Sequence, residues 1–189
     1  MPRTLLCVGA LAVFTLPCRA EPTISAGDDS AVYLRLITQA TYYLPLGRNA
    51  DTVLAARTRI GSVLGGSLST IPSSRRLYAG GGGSVRGYAY QGVGPRLPDN
   101  TPQGGLGLFE ASFEVRQHIT GRWGAVAFVD VGAVSETSAP DFSNVNTGVG
   151  VGVRYDLGFG PIRADIAFPL DKREGDSSYE LYLSIGQSF

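Results

Sequence analysis

Links that alternate strictly between short and long constrain this chain more than any other feature. Strand-like stretches at 31–46, 52–68, 106–119, 123–134, 147–157, 161–170 and 179–189 are separated by six links. Those at 47–51, 120–122 and 158–160 are short, while those at 69–105, 135–146 and 171–178 are longer. A soluble β-sandwich has no reason to gather its short turns at one end. An outer-membrane barrel does, because its periplasmic turns are short and its outer loops long.

Composition agrees with that reading. The 189 residues are 43% hydrophobic and only 17% charged, yet no apolar run after residue 20 approaches the roughly 20 residues that a membrane helix needs. An apolar surface distributed over every second residue reconciles the two facts. Formal net charge is zero, which gives no reason to expect nucleic acid as a partner.

At the N-terminus, Arg3 precedes an apolar segment at 5–16, and Cys18-Arg19-Ala20 places small residues where a signal peptidase reads. Residues 1–20 are therefore expected to be a secretory signal, and residues 21–30, polar and turn-rich, a flexible lead-in. Both cysteines, Cys7 and Cys18, lie in this leader, so the mature chain is expected to carry no disulfide and no thiolate metal site.

Side chains alternate across a strand, and each stretch sorts into two columns. Val149, Val151, Val153, Tyr155 and Leu157 oppose Gly148, Gly150, Gly152, Arg154 and Asp156. Phe109, Ala111, Phe113 and Val115 oppose Glu110, Ser112, Glu114 and Arg116. Ile162, Ala164, Ile166 and Phe168 oppose Arg163 and Asp165, and Leu54, Ala56 and Ile60 oppose Arg57 and Arg59. In the last stretch Tyr179, Leu181, Leu183, Ile185 and Phe189 oppose Glu180, Tyr182, Ser184, Gly186 and Ser188. A soluble sheet with one wet face also alternates. Here, however, the apolar columns stay almost uncharged over about ten residues, the length of a tilted membrane strand. The polar columns carry opposite charges on neighbouring strands, as a wet lumen would. Aromatics mark both rims, with Tyr42, Tyr43, Trp123, Tyr155 and Phe159 at one and Phe109, Phe168 and Tyr179 at the other, where amphipathic rings are favoured.

The longest link holds Gly80-Gly81-Gly82-Gly83-Ser84-Val85-Arg86-Gly87-Tyr88. An ordered glycine costs roughly 0.5–1 kcal/mol more than alanine, so four in a row predict a path needing close backbone approach or positive φ. Neither dinucleotide nor P-loop spacing fits these glycines.

The motif closely resembles the glycine-rich "VRG-aromatic" loop of the bacterial surface antigen family of outer-membrane assembly and translocation barrels. Residues 31–189 resemble the C-terminal portion of such barrels. Arg76-Leu77-Tyr78-Ala79-Gly80-Gly81, together with the endings Gly160-Pro161-Ile162-Arg163-Ala164-Asp165 and Ser184-Ile185-Gly186-Gln187-Ser188-Phe189, is most similar to the TamA branch. The resemblance implies that Gly83, Ser84, Val85, Arg86, Gly87 and Tyr88 form a loop lock, with Arg86 folded back onto Glu114 and Asp130 of the lumen wall. Independently of the resemblance, both acids fall on lumen columns of adjacent strands just after the loop. The competing pairing for Glu114 is Arg116 or Arg154. Leu183, Ile185 and the terminal Phe189 resemble the signal by which assembly machinery recognises its clients, although Gln187 departs from the usual apolar residue.

No catalytic signal accompanies these features. His118, the lone histidine, sits near a short turn without a second His or Cys for zinc and without a G-x-S-x-G elbow. Glu110 and Glu114 stand about 13 Å apart along a strand, too far for a glycosidase pair. The sequence thus predicts an all-β, antiparallel transmembrane barrel, with about seven of the sixteen strands the family has, hence incomplete or open. The resemblance implies a non-enzymatic, cofactor-free role in insertion or secretion of outer-membrane proteins such as autotransporters. The implied location is the outer membrane of a Gram-negative-type bacterium. Implied partners are the lipid bilayer, client proteins, the assembly machinery and an inner-membrane-anchored component. A passive, porin-like barrel is the rival. A truncated gene, a fragment and half of an oligomeric barrel all fit the strand count.

Overall fold

The computed structural model describes residues 13–15, 18–25, 31–47 and 49–186. They form a single antiparallel sheet of β1 (Val13–Thr15), β2 (Cys18–Ser25), β3 (Ala31–Leu46), β4 (Thr52–Leu64), β5 (Gly107–Thr120), β6 (Trp123–Ser135), β7 (Asn146–Asp156), β8 (Pro161–Pro169) and β9 (Glu180–Ile185). From β3 to β9 each strand pairs with its sequence neighbours. The only helix among the described residues is a single 3-10 turn, Ser73–Arg75. Among the described residues the sheet is open: β9 pairs only with β8, while β1 and β2 both pair with the outer edge of β3.

Period-two patterning places the faces as the columns predict. Val151 and Val153, Leu181, Leu183 and Ile185 lie exposed on the outer face, whereas Glu110, Ser112, Glu114, Asp130, Arg154, Arg163 and Asp165 are buried on the inner one. Charge is therefore hidden and grease displayed, the reverse of a soluble sheet. At the short-turn rim Trp123 and Tyr155, partners in register, meet edge to face at 4.8 Å. His118 is exposed there, its Nε2 2.9 Å from the Gly121 carbonyl oxygen across the turn.

Three differences from the sequence reading concern element bounds. Strand β4 stops at Leu64 rather than 68, because the chain turns away at Gly65 and Gly66 to run over the sheet. Glu21–Ser25, expected to be flexible, continue β2 and pair with Ala31–Arg35; the backbone of the long β3 edge is satisfied by whatever extended segment lies against it, regardless of turn-prone composition. The last strand ends at Ile185, and Phe189 falls outside the described residues. So does most of the leader read at 1–20; its described parts, Val13–Thr15 and Cys18–Ala20, pair with β3.

The long link between β4 and β5 does not stay outside. It folds over the inner face, where Leu77, Ala79, Val85, Tyr88 and Val93 form one buried cluster with Tyr33, Val63, Leu108 and Val134 of the sheet. Val151 tests the assignment of faces: it is 55% exposed at the middle of β7. Val151→Arg should cost about 2–4 kcal/mol when folding is measured by denaturant titration in lipid vesicles. A change within about 0.5 kcal/mol, as at an ordinary wet surface, would contradict an acyl-chain-facing position.

Candidate functional site

Strand register lays the inner wall out in rows. One row runs Arg57, Ser112, Asp130, Gly148; the next runs Ala55, Glu114, Phe128, Gly150, Ala167, Glu180; a third contains Arg116, Val126, Gly152, Asp165 and Tyr182. The tip of the long loop is laid across these rows.

Arg86 is 2% exposed, and Glu114 and Asp130 are fully buried. Its Nε donates to Asp130 Oδ2 at 2.6 Å and its Nη2 to Oδ1 at 2.9 Å, a bidentate pair, while its backbone N–H also donates to Oδ2 at 3.1 Å. Nη1 lies 2.7 Å from Glu114 Oε1 and 3.6 Å from Asp165 Oδ2. The guanidinium plane rests on the Phe128 ring, 3.4 Å from its centroid, a contact strengthened by desolvation. Burial opposes the charged form, but the hydrogen bonds and charge of Asp130 and Glu114 outweigh it and hold the Arg86 pKa above its ordinary value. Glu114 is not restricted to one partner, since Arg116 Nε donates to its other oxygen at 2.7 Å.

Every other residue of the motif also has a seat. The Gly83 and Ser84 carbonyls accept from Arg57 at 2.8 and 2.9 Å. Ser84 Oγ donates to Glu110 and accepts from the Gly80 N–H. Val85 packs over Gly132, where an added Cβ would lie 2.5 Å from Val85 Cγ2. Gly87 has φ +98°, and a Cβ there would stand 2.9 Å from the Phe168 carbonyl carbon, so both conformation and space require glycine. Tyr88 donates to the Thr147 carbonyl at 3.0 Å. Of the four consecutive glycines, Gly80 and Gly81 adopt positive φ and Gly82 lies against the Tyr182 ring; Gly83 meets neither condition.

Several participants were not assigned roles from sequence. Glu110, Arg57, Ser112 and Asp165 stood in the polar columns without partners named. The alternating glycines of β7 carried a signal that went unread: a Cβ at Gly148 would fall on the Arg86 carbonyl oxygen, one at Gly150 on the Phe128 ring, and one at Gly152 on the Asp165 carboxylate. The glycine column is the mould of the loop and its supporting side chains. Leu183 and Ile185 lie outward on β9, 80% and 70% exposed.

Through Arg86 alone the loop is held by charge to β5, β6 and β8.

The family model of the Omp85 superfamily domain matches residues 14–189. The chain is 31% identical over 176 residues to the outer membrane protein assembly factor BamA of Nitratidesulfovibrio vulgaris, covering 86% of this chain and 21% of that protein. It thus spans about a fifth of that relative's length. Its fold matches the crystal structure of BamA from Haemophilus ducreyi lacking POTRA domains 1-3, with a TM-score of 0.71, 20% identity, and coverage of 90% of this chain and 38% of that one.

Asp130→Ala leaves the buried guanidinium without its bidentate partner and should cost about 3–5 kcal/mol in urea unfolding from detergent micelles. Glu114→Ala takes one charged contact from Arg86, worth about 1.5–3 kcal/mol, together with that of the partly solvated Arg116. The reverse ranking would contradict Asp130 as the principal anchor. Gly148→Val should open the loop to limited proteolysis within 69–105 as Arg86→Ala does, and an uncut loop in Gly148→Val would contradict the mould.

Proposed function

The chain belongs to the Omp85 superfamily, and from that premise we propose that it acts in the insertion or export of other outer-membrane proteins, in the manner of the TamA branch. It is an outer-membrane barrel protein of a Gram-negative-type bacterium. The observation that carries the reading is the Arg86 loop seated on Asp130 and Glu114 inside an open sheet. A passive pore has no need to fill its interior with a clamped loop.

The working surface is the sheet's edge. A strand edge in a bilayer leaves N–H and C=O groups that neither lipid nor water satisfies, so an incoming strand is bound by β-augmentation. Strand β9, paired on one side only among the described residues, supplies such an edge. The chemistry is hydrogen-bond exchange, with no catalytic side chain and no cofactor. Client barrels, including autotransporters, are the substrates. The outer-membrane assembly machinery and an inner-membrane-anchored component are the partners, residues 1–20 the export signal, and Leu183, Ile185 and Phe189 the segment by which the chain itself is recognised. Closure of the barrel takes strands beyond those described.

The test is client insertion into vesicles. Proteoliposomes containing the chain should insert a urea-unfolded eight-stranded client several-fold faster than empty vesicles, with Arg86→Ala abolishing the gain. Ion conductance without any acceleration would favour the passive barrel instead.

A further inference from the structure

We propose that Tyr182 is a positioning residue that couples the arginine loop to the sheet's free edge, so that releasing one loosens the other. Tyr182 projects from the middle of β9 onto the inner face, packed with Val126, Phe128 and Ala167. Its hydroxyl accepts from the Gly87 N–H at 3.1 Å and donates to the Tyr88 carbonyl at 3.0 Å. A phenol has one donor proton and accepts through the same oxygen, and here both capacities serve the two loop residues that follow Arg86. The ring also sets the path of the glycine run, since a Cβ at Gly82 would stand 2.9 Å from its Cδ1.

A second clasp joins the same two parts at the far end of the hairpin. Arg173, in the turn between β8 and β9, donates to the Gly92 and Gly94 carbonyls at 2.7 and 2.9 Å. Arg96, on the loop, donates to the Gly92 carbonyl at 2.7 Å and to Asp176 at 2.6 Å. The β8–β9 hairpin is therefore tied to the loop both inside the sheet and beyond its rim.

These ties matter because β9 is otherwise weakly held. It pairs with β8 through six residues, Ile162–Ala167 against Glu180–Ile185, and its outward side chains Leu181, Leu183 and Ile185 are 68–80% exposed. Short edge strands open locally at low free energy. The loop spans from the Asp130 and Glu114 anchors to this strand, so a ligand or mutation that unseats Arg86 withdraws the hydroxyl's partners and frees the edge. The coupling deepens the insertion reading, yet it is measured without a client, so each can fail alone.

The experiment is amide hydrogen exchange on the micelle-bound chain, reading the β9 amides bonded to β8 against those of β5 and β6. Tyr182→Phe keeps the ring and removes the hydroxyl. It should speed β9 exchange about tenfold and leave β5 and β6 unchanged. Arg86→Ala should speed the same β9 amides to a similar extent, and the double variant no further. If Arg86→Ala fails to fold, Gly148→Ala displaces the loop in its place. Unchanged β9 exchange in Tyr182→Phe, or effects that multiply in the double variant, would overturn the coupling.

Discussion

A guanidinium is held almost dry on the inner wall of this sheet, and the rest of the structure is arranged around that fact. Burying an ion without compensation costs several kcal/mol, so Arg86 determines what its surroundings must contain. Asp130 meets it with both oxygens, Glu114 lies at the other end of its fork, and Phe128 offers an aromatic face beneath. Acids and bases are in turn shared outward: Arg116 on Glu114, Arg154 and Arg163 on Asp165, Arg57 and Arg59 near Glu110. Each buried carboxylate has a cation beside it. Such a network gains only when complete, which makes the seated loop a state with a sharp boundary.

Space is the second half of the arrangement. Curved wall and incoming loop cannot both carry side chains at their closest approach, and the wall yields to the loop at Gly132 and Gly148, and to its own Phe128 and Asp165 side chains at Gly150 and Gly152. The loop yields at Gly82 and Gly87. Glycine is poor in strands, so its regular placement along β7 marks where something else lies against the backbone. The proposed function rests on the pairing of a firm anchor with a weakly held neighbour: the loop is fixed at β5 and β6 but also bonds to Tyr182 of β9, the strand whose edge is proposed to accept another.

Strands β4, β5, β7, β8 and β9 were legible because a period of two survives along each, with Val151 and Val153 on one face and Gly152 and Arg154 on the other. The short turns at 120–122 and 158–160 were equally plain. The loop motif could be named through its resemblance to the surface antigen family, and the acids Glu114 and Asp130 because that resemblance and the lumen columns of adjacent strands point to the same pair. What sequence did not reveal depends on register between distant segments. Nothing local to Tyr182 says that its hydroxyl reaches Gly87, and nothing local to Gly148 says that Arg86 lies above it. The strand at Cys18–Ser25 was missed for another reason: Pro22 and Ser25 belong to a turn-like composition, whereas pairing there is dictated by the open edge of β3.

Seating of the loop can be measured directly by cross-linking. A Cβ at position 132 would lie 3.8 Å from Val85 Cβ, the mean separation across a disulfide. With Cys7 and Cys18 replaced by serine, a Val85→Cys, Gly132→Cys chain folded in membranes should form that bond nearly completely under mild oxidation. Pairing should drop sharply when Asp130→Ala is added. Two thiols that remain free in the folded chain would show that the loop does not rest on the inner wall.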